Sequence, residues 1–166
     1  MAHQATTEIG ALLAALNSQR RHVLGILDGL DEQALRRPVL PSGWSCLGLV
    51  RHLALDVERF WFRAVVAGEP VELESGDGAW QVGAELSADA VFELYRQEAE
   101  LADAIVAARQ PDAEAAWWPD ELFEAMAPRT LRHTVLHVLT ETACHAGHLD
   151  AARELIDGRS WLVLTG

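Results

Sequence analysis

The feature that most constrains the fold is a helical repeat of apolar residues, present in four long stretches of the chain. The first stretch covers about residues 7–30, and we predict that Thr6 or Thr7 caps it. Apolar residues recur there every three or four positions, which builds one buried helix face. The residues on this face are Ile9, Leu12, Leu13, Leu16, Val23, Leu24 and Leu27. Residues 31–36 form an acidic turn that can hold a further short helix.

Three more stretches have the same period and clear boundary residues. The second covers about 46–67 after Ser45, and the third covers about 87–109, starting at Ser87. The fourth covers about 130–157, with Thr130 as its predicted cap and Gly158 just past its end. Prolines and glycines break the chain between them. The tail, residues 159–166, fits either a docked strand-like segment or a frayed end.

These stretches predict a single all-α domain over residues 1–166, a four-helix bundle. No segment alternates strongly enough to predict a sheet, and no internal repeat is visible. The loops after the second and third helices, about 69–86 and 111–128, are longer than a plain bundle needs, and we expect them to be irregular. Loops of this length are often functional, and these carry Trp80, Trp117 and Trp118.

The charge of the chain excludes several function classes. Its 25 acidic residues outnumber 13 basic ones, so the net charge is −12, and every basic residue is Arg. An acidic surface repels phosphate backbones and anionic lipids, so we expect neither nucleic-acid nor membrane partners. Without lysine, the chain has no Schiff-base nucleophile. The two cysteines, the missing membrane span and the N-terminus without a basic signal region predict a cytoplasmic protein.

The densest concentration of chemical groups lies on the fourth helix. His133, His137, Glu141 and His145 follow one another at steps of four, and His148 comes three residues later. Steps of four keep side chains on one slowly drifting stripe, so two adjacent members can reach one ion. A third ligand must then come from a facing helix, where His52 is the candidate on the second helix. Three nitrogen and oxygen ligands leave open positions on a metal, as catalytic sites do.

The same spacing also fits a polar stripe facing solvent, and a lone histidine such as His52 is often an ordinary boundary residue. His22 lies beside Arg20 and Arg21, a context that predicts an exposed side chain. The spacing therefore leaves both the metal site and the polar stripe open.

Two blocks of the sequence resemble a known superfamily. They are LGLVRHLALDVERFWF at residues 47–62 and HVLTETACHAGHLD at residues 137–150. Together they look like the DinB/YfiT-like superfamily of four-helix metalloproteins, and most like its actinobacterial branch that works with mycothiol. The resemblance extends over nearly the whole chain but is weak in the loops.

The resemblance implies a ligand set of His52, Glu141 and His145. In that superfamily one ligand comes from the second helix and two come from the fourth, four residues apart. Glu141 stands where many members have histidine, but the mycothiol-dependent maleylpyruvate isomerases resemble this chain in using two His and one Glu. His137 and His148 then become pocket groups with catalytic roles. His148 is the alternative ligand, and His133 lies outside the site.

Such a site suits zinc, and also nickel, iron or manganese. The resemblance implies that the metal activates a mycothiol-type thiol, which attacks a small electrophile to form a thioether or to isomerise a double bond. Two alternatives stay open: a metal-dependent hydrolase of a small amide or ester, and a bundle that binds a metal or small ligand without turnover. The resemblance implies a homodimer, whereas an acidic surface with exposed tryptophans fits a monomer.

The remaining candidates are assigned structural roles. We expect Cys144 to be a small buried residue and Cys46 to be structural, although a helix start can lower a thiol pKa. Arg51 is predicted to be a surface or interface group. The tryptophans are expected mainly as core and loop anchors, with one or two at the mouth of a pocket: Trp44, Trp61, Trp117 and Trp118.

Overall fold

The first helix is longer at its start than the sequence predicted. A computed structural model describes residues 2–120 and 129–161, with side chains from residue 8 onward. Helix α1 covers Ala2–Ile26, so the helix passes through Thr6 and Thr7, and the prediction that either residue caps it was wrong. It ends in a turn at Gly29, whose φ of 77° suits glycine. The short helix α2, Glu32–Arg36, follows as predicted, and the Asp31 carboxylate accepts a hydrogen bond from the Ala34 amide.

The second long helix changes its pitch along its length. Helix α3 covers Cys46–His52, and the Ser45 hydroxyl accepts a hydrogen bond from the Gly48 amide, as predicted for an N-cap. It continues without a break into a π-helical segment, Leu53–Val66. In this segment the hydrogen bonds reach five residues back, as from the Ala67 amide to the Phe62 carbonyl. The predicted bounds were confirmed to within a residue, but the wider pitch was not predicted.

The last two long helices follow their boundary signals. Helix α4 covers Ala88–Ala107, and the Ser87 hydroxyl accepts a hydrogen bond from the Ala90 amide. Helix α5 covers Leu131–Asp157 and ends at Gly158, which has the left-handed conformation expected of a helix stop. Thr130 precedes α5, but its hydroxyl contacts His133 Nδ1 instead of capping a backbone amide.

These elements form the predicted all-α bundle. Helix α1 packs chiefly on α5, and α4 packs on the π segment, which also contacts α5. Among residues 2–120 and 129–161 there is no β-strand, only an isolated bridge between Glu114 and Thr130. Within the same ranges, no helix is long and apolar enough to cross a membrane. Fully buried side chains from all four long helices fill the centre, including Leu16, Val23, Leu49, Leu53, Phe62, Val91, Val138 and Leu149.

A buried ion pair joins two of the long helices. Arg20 of α1 donates from Nε and Nη2 to both carboxylate oxygens of Glu58 in the π segment, at 2.7 and 2.6 Å. Arg20 also contacts Asp103 of α4 at 2.5 Å. Because Arg20 and Glu58 are almost fully buried, each depends on the other for compensation of its charge.

The loop predictions are confirmed where the structure describes them. The segment after the π segment is irregular apart from a 3₁₀ turn at Gly78–Trp80. Residues 108–119 are also irregular, whereas the predicted loop residues 121–128 and the tail residues 162–166 lie outside the described part of the chain.

The start of the tail packs against α1. The Trp161 ring stacks on His22 at 5.3 Å and covers Gly25, where a Cβ atom would lie 2.0 Å from the indole. His22 also contacts the Asp150 carboxylate at 2.9 Å. The prediction of an exposed His22 was therefore wrong, since partners distant in sequence cover it.

Candidate functional site

His52 is placed by the anchored first turns of α3. Leu49, Val50 and Leu53 are fully buried on either side of it, and they fix the rotation of the helix. His52 therefore lies at the edge of the bundle, with 16% of its side chain exposed. Its Nδ1 lies 2.8 Å from the Asp56 carboxylate. Because a carboxylate only accepts, Nδ1 is the donor in this contact, and Nε2 is the ring nitrogen left for another partner.

Helix α5 presents three polar groups, Glu141, His145 and His148, on two successive turns at the edge of the bundle. Thr142, Ala146 and Leu149 face the core, which leaves the residues between them at the edge. His145 Nε2 lies 3.7 Å from a Glu141 oxygen, and His145 Nδ1 lies 3.4 Å from His148 Nδ1.

The two helices bring these groups together. The rings of His52 and His145 lie 5.2 Å apart in an edge-to-face arrangement. We call His52, Glu141, His145 and His148 the histidine cluster. The structure thus gathers the three predicted ligands and one of the two predicted catalytic histidines into one neighbourhood.

Burial controls the charge of the central histidine. Burial, together with the neighbouring imidazoles of His52 and His148, lowers the pKa of His145 to about 4. His145 is therefore neutral at pH 7, with a nitrogen lone pair available. A neutral imidazole is the form that binds a metal or accepts a proton.

The other predicted catalytic histidine lies farther along α5. His137 is two turns from His145, a rise of roughly 12 Å along the helix. Its ring packs against Trp61 at 4.6 Å. Burial lowers the pKa of His137, partly offset by the negative charge of Glu141. His133 lies one turn farther still, beside Thr130, away from the cluster as expected.

A tryptophan that the sequence analysis did not assign to the site covers the cluster. The Trp80 indole stacks on the His52 ring at 4.2 Å, with an interplanar angle of 17°, and lies 6.0 Å from the His145 ring. Arg51, which was predicted to be a surface or interface group, donates to the loop that carries Trp80 and is only 16% exposed. No local sequence signal links Arg51 to this loop. The only sequence feature that drew attention to Trp80 was its position in a long loop.

A cleft of about 540 Å³ adjoins the cluster. Trp80 forms one wall, and Trp44, which lies 6.2 Å from the His148 ring, forms another. Its volume falls within the range of small-molecule sites. The prediction that one or two tryptophans line a pocket mouth fits Trp44. Polar side chains complete the lining: Arg36, Ser42, Ser45, Asp77 and Gln81.

The donor set of the cluster fits a divalent cation in its chemistry. Imidazole nitrogen and carboxylate oxygen are ligands of zinc and similar metals. The bond from His52 Nδ1 to Asp56 reproduces the outer carboxylate contact that orients metal-binding histidines. Within residues 2–120 and 129–161, however, no three His, Cys, Asp or Glu side chains already stand in ligand geometry. Side-chain rotation on α5 is therefore needed for a cation to bind.

The two cysteines differ from each other. Cys46 is buried, and burial raises the pKa of its thiol to about 11, which supports the structural role and excludes an activated thiolate. Cys144 is exposed, so the expectation of a buried residue was wrong. It lies on the face of α5 that looks away from the core, where a small apolar residue meets solvent.

The fold and the cluster define a class of protein: a helical bundle with a histidine-rich cluster between its second and fourth long helices, beside a cleft lined by Trp44 and Trp80. The family model of mycothiol S-transferases matches residues 11–158, and the chain belongs to this family. No curated protein and no solved structure matches the chain. The family match confirms the sequence-based resemblance to the mycothiol-dependent branch.

Proposed function

We propose that this protein is a metal-dependent enzyme that transfers a mycothiol-type thiol to a small electrophile. The observation that carries the proposal is the approach of His52 and His145 across two helices, 5.2 Å apart, beside a 540 Å³ cleft. Membership of the mycothiol S-transferase family supports the thiol as cosubstrate.

His52, Glu141 and His145 would hold the metal, with His148 as the alternative ligand. Zinc suits this set best, and nickel, iron or manganese are compatible with it. When bound, a divalent cation stabilises a thiolate at neutral pH and lowers the barrier for its attack. Asp56 orients His52 by accepting the Nδ1 hydrogen bond.

The proton of the thiol goes to a nitrogen of His148, the exposed histidine of the cluster. The sulfur lone pair then forms a bond to the electrophilic carbon. In a substitution, the leaving group departs with its bonding electrons and takes the proton. In an addition, the atom at the other end of the double bond takes the bonding electrons and the proton. Loss of the thiol from this adduct then leaves the double bond isomerised. His137 lies too far along α5 to share this step, so we assign it to the distal part of the substrate.

The charge of the chain supports this choice of partners. A net charge of −12 suits a largely neutral thiol and disfavours nucleic acids and anionic membranes. We place the reaction in the cytoplasm, and a homodimer, rather than a monomer, is the assembly that family membership favours.

The test is consumption of thiol that depends on the electrophile. Metal-loaded protein is mixed with a mycothiol-type thiol and a panel of small electrophiles, and free thiol is followed over time. We expect turnover by the wild type, loss of at least about 100-fold in His145→Ala, and full activity in the control His133→Ala. Hydrolysis of an ester or amide without thiol consumption would support the hydrolase instead. No turnover with any electrophile would support a binding protein.

A further inference from the structure

We infer that Arg51 and Gly48 are positioning residues, which seat the Trp80 loop (residues 74–81) on α3 so that Trp80 fixes the ring of His52. The inference concerns residues outside the histidine cluster. Its chemical consequence rests on the thiol transfer proposed above, but its structural part does not.

Arg51 fastens the loop at two points. Its Nη1 donates to the Gly78 carbonyl at 2.5 Å, and its Nη2 donates to a Glu74 carboxylate oxygen at 2.6 Å. The Arg51 side chain is only 16% exposed, so the contact is partly shielded from water. Two nitrogens of one planar guanidinium thus hold a backbone atom and a side chain of the same loop, which the single ammonium group of a lysine reproduces only in part.

Gly48 sets how close the loop comes to the helix. A Cβ atom at this position would lie 2.5 Å from the Trp80 carbonyl oxygen. That oxygen belongs to the backbone, so any larger residue pushes the loop itself away. Gly48 is also buried in the first turns of α3, where alanine is a better helix former than glycine. The absence of a side chain therefore serves the contact with Trp80 and not the helix.

Hydrogen bonds within the loop connect these contacts to Trp80. The Gly78 amide donates to the Ser75 carbonyl, and the Trp80 amide donates to the Asp77 carbonyl. The Gln81 amide in turn donates to the Gly78 carbonyl, the group that Arg51 also holds. When Arg51 holds Gly78 in place, these hydrogen bonds hold Trp80 in place as well.

Trp80 supplies the second constraint on His52. Asp56 holds the edge of the imidazole through Nδ1, and the indole covers its face at 4.2 Å. With both contacts in place, ring rotation is blocked, and Nε2 keeps its direction. Trp80 is also a wall of the cleft, so one loop position sets both the orientation of His52 and the shape of the adjoining cavity.

Nuclear magnetic resonance on the metal-free full-length protein tests the structural part. An indole stacked on an imidazole shifts the carbon-bound ring protons of His52 upfield, and a His52→Gln variant assigns those signals. We expect Arg51→Gln and Gly48→Ala to move them downfield and Arg51→Lys to place them in between. Arg96→Gln, which removes an exposed arginine elsewhere, should leave them unchanged. His52 signals that move in Trp80→Leu but stay in place in both Arg51→Gln and Gly48→Ala would overturn the inference.

Steady-state kinetics test the consequence separately. If His52 serves thiol transfer, Arg51→Gln lowers kcat/KM about 10-fold, as loss of an orienting contact does, and Arg51→Lys restores part of it. A wild type without transfer activity would contradict the proposed function and leave the magnetic-resonance result standing. Normal activity in Arg51→Gln with displaced His52 signals would overturn the positioning role.

Discussion

The rings of His52 and His145 meet edge to face at 5.2 Å, although they come from helices far apart in the sequence. This contact joins α3 to α5 at the level where Glu141, His148 and Trp80 also converge. A site of this kind depends on the packing of the bundle.

The buried pair of Arg20 and Glu58 should be essential for stability. Glu58→Gln leaves the Arg20 guanidinium in the core with only Asp103 to compensate it. Loss of one partner of a buried pair costs about 3–5 kcal/mol. We expect the free energy of unfolding in urea to fall by about that amount.

The matched control for this prediction is the exposed pair of Arg96 and Glu93, which lie 3.8 Å apart. Arg96→Gln should change the free energy of unfolding by less than about 0.5 kcal/mol. Equal effects of Glu58→Gln and Arg96→Gln would contradict the burial of the Arg20–Glu58 pair.

The two thiols should react at very different rates. Cys144 is exposed, whereas Cys46 is buried and has a pKa raised to about 11. A chromogenic disulfide reagent at pH 8 should label one thiol in the folded protein and two after denaturation. Cys144→Ser should abolish the labelling of the folded protein, and Cys46→Ser should leave it unchanged. Two fast thiols in the folded wild type would contradict the burial of Cys46.

The metal-free protein should lose stability between pH 6.5 and about 4 because of His145. Its pKa is lowered from 6.5 to about 4, so in this window the unfolded chain binds more protons than the folded one. Stability therefore falls as pH falls through the window, by at most about 3 kcal/mol. The contribution of His145 to stability is fully present above pH 6.5.

Urea unfolding at a series of pH values, with a chelator present, measures this effect. His145→Gln should show a smaller loss over the same window, and the exposed control His133→Gln should follow the wild type. Parallel curves for the wild type and His145→Gln would contradict the lowered pKa.

Local signals explain which parts of the fold could be predicted. Ser45, Ser87 and Gly158 mark helix ends through bonds to residues three or four positions away, and their predictions were confirmed. The start of α1 was missed because that helix continues through Thr6 and Thr7, residues typical of caps. The π pitch of residues 53–66 was missed because apolar spacing does not reveal it.

The site could be predicted in part for the same reason. Spacing on one helix placed Glu141, His145 and His148 together, and the need for a ligand from a facing helix pointed to His52. The role of Trp80 depends on contacts from Arg51 and Gly48 to a loop more than twenty residues away, and no helical period encodes them. Cys144 was assigned to the core because a small apolar residue on a helix gives no sign of the face it occupies.

The most direct test of the central claim is the metal content of the purified, tag-free protein, measured by elemental mass spectrometry after reconstitution with divalent zinc. We expect about one metal per chain in the wild type and in His133→Ala, and a loss of metal in both His52→Ala and His145→Ala. No metal in the wild type, or equal metal in all four proteins, would contradict the claim that the histidine cluster is a metal centre.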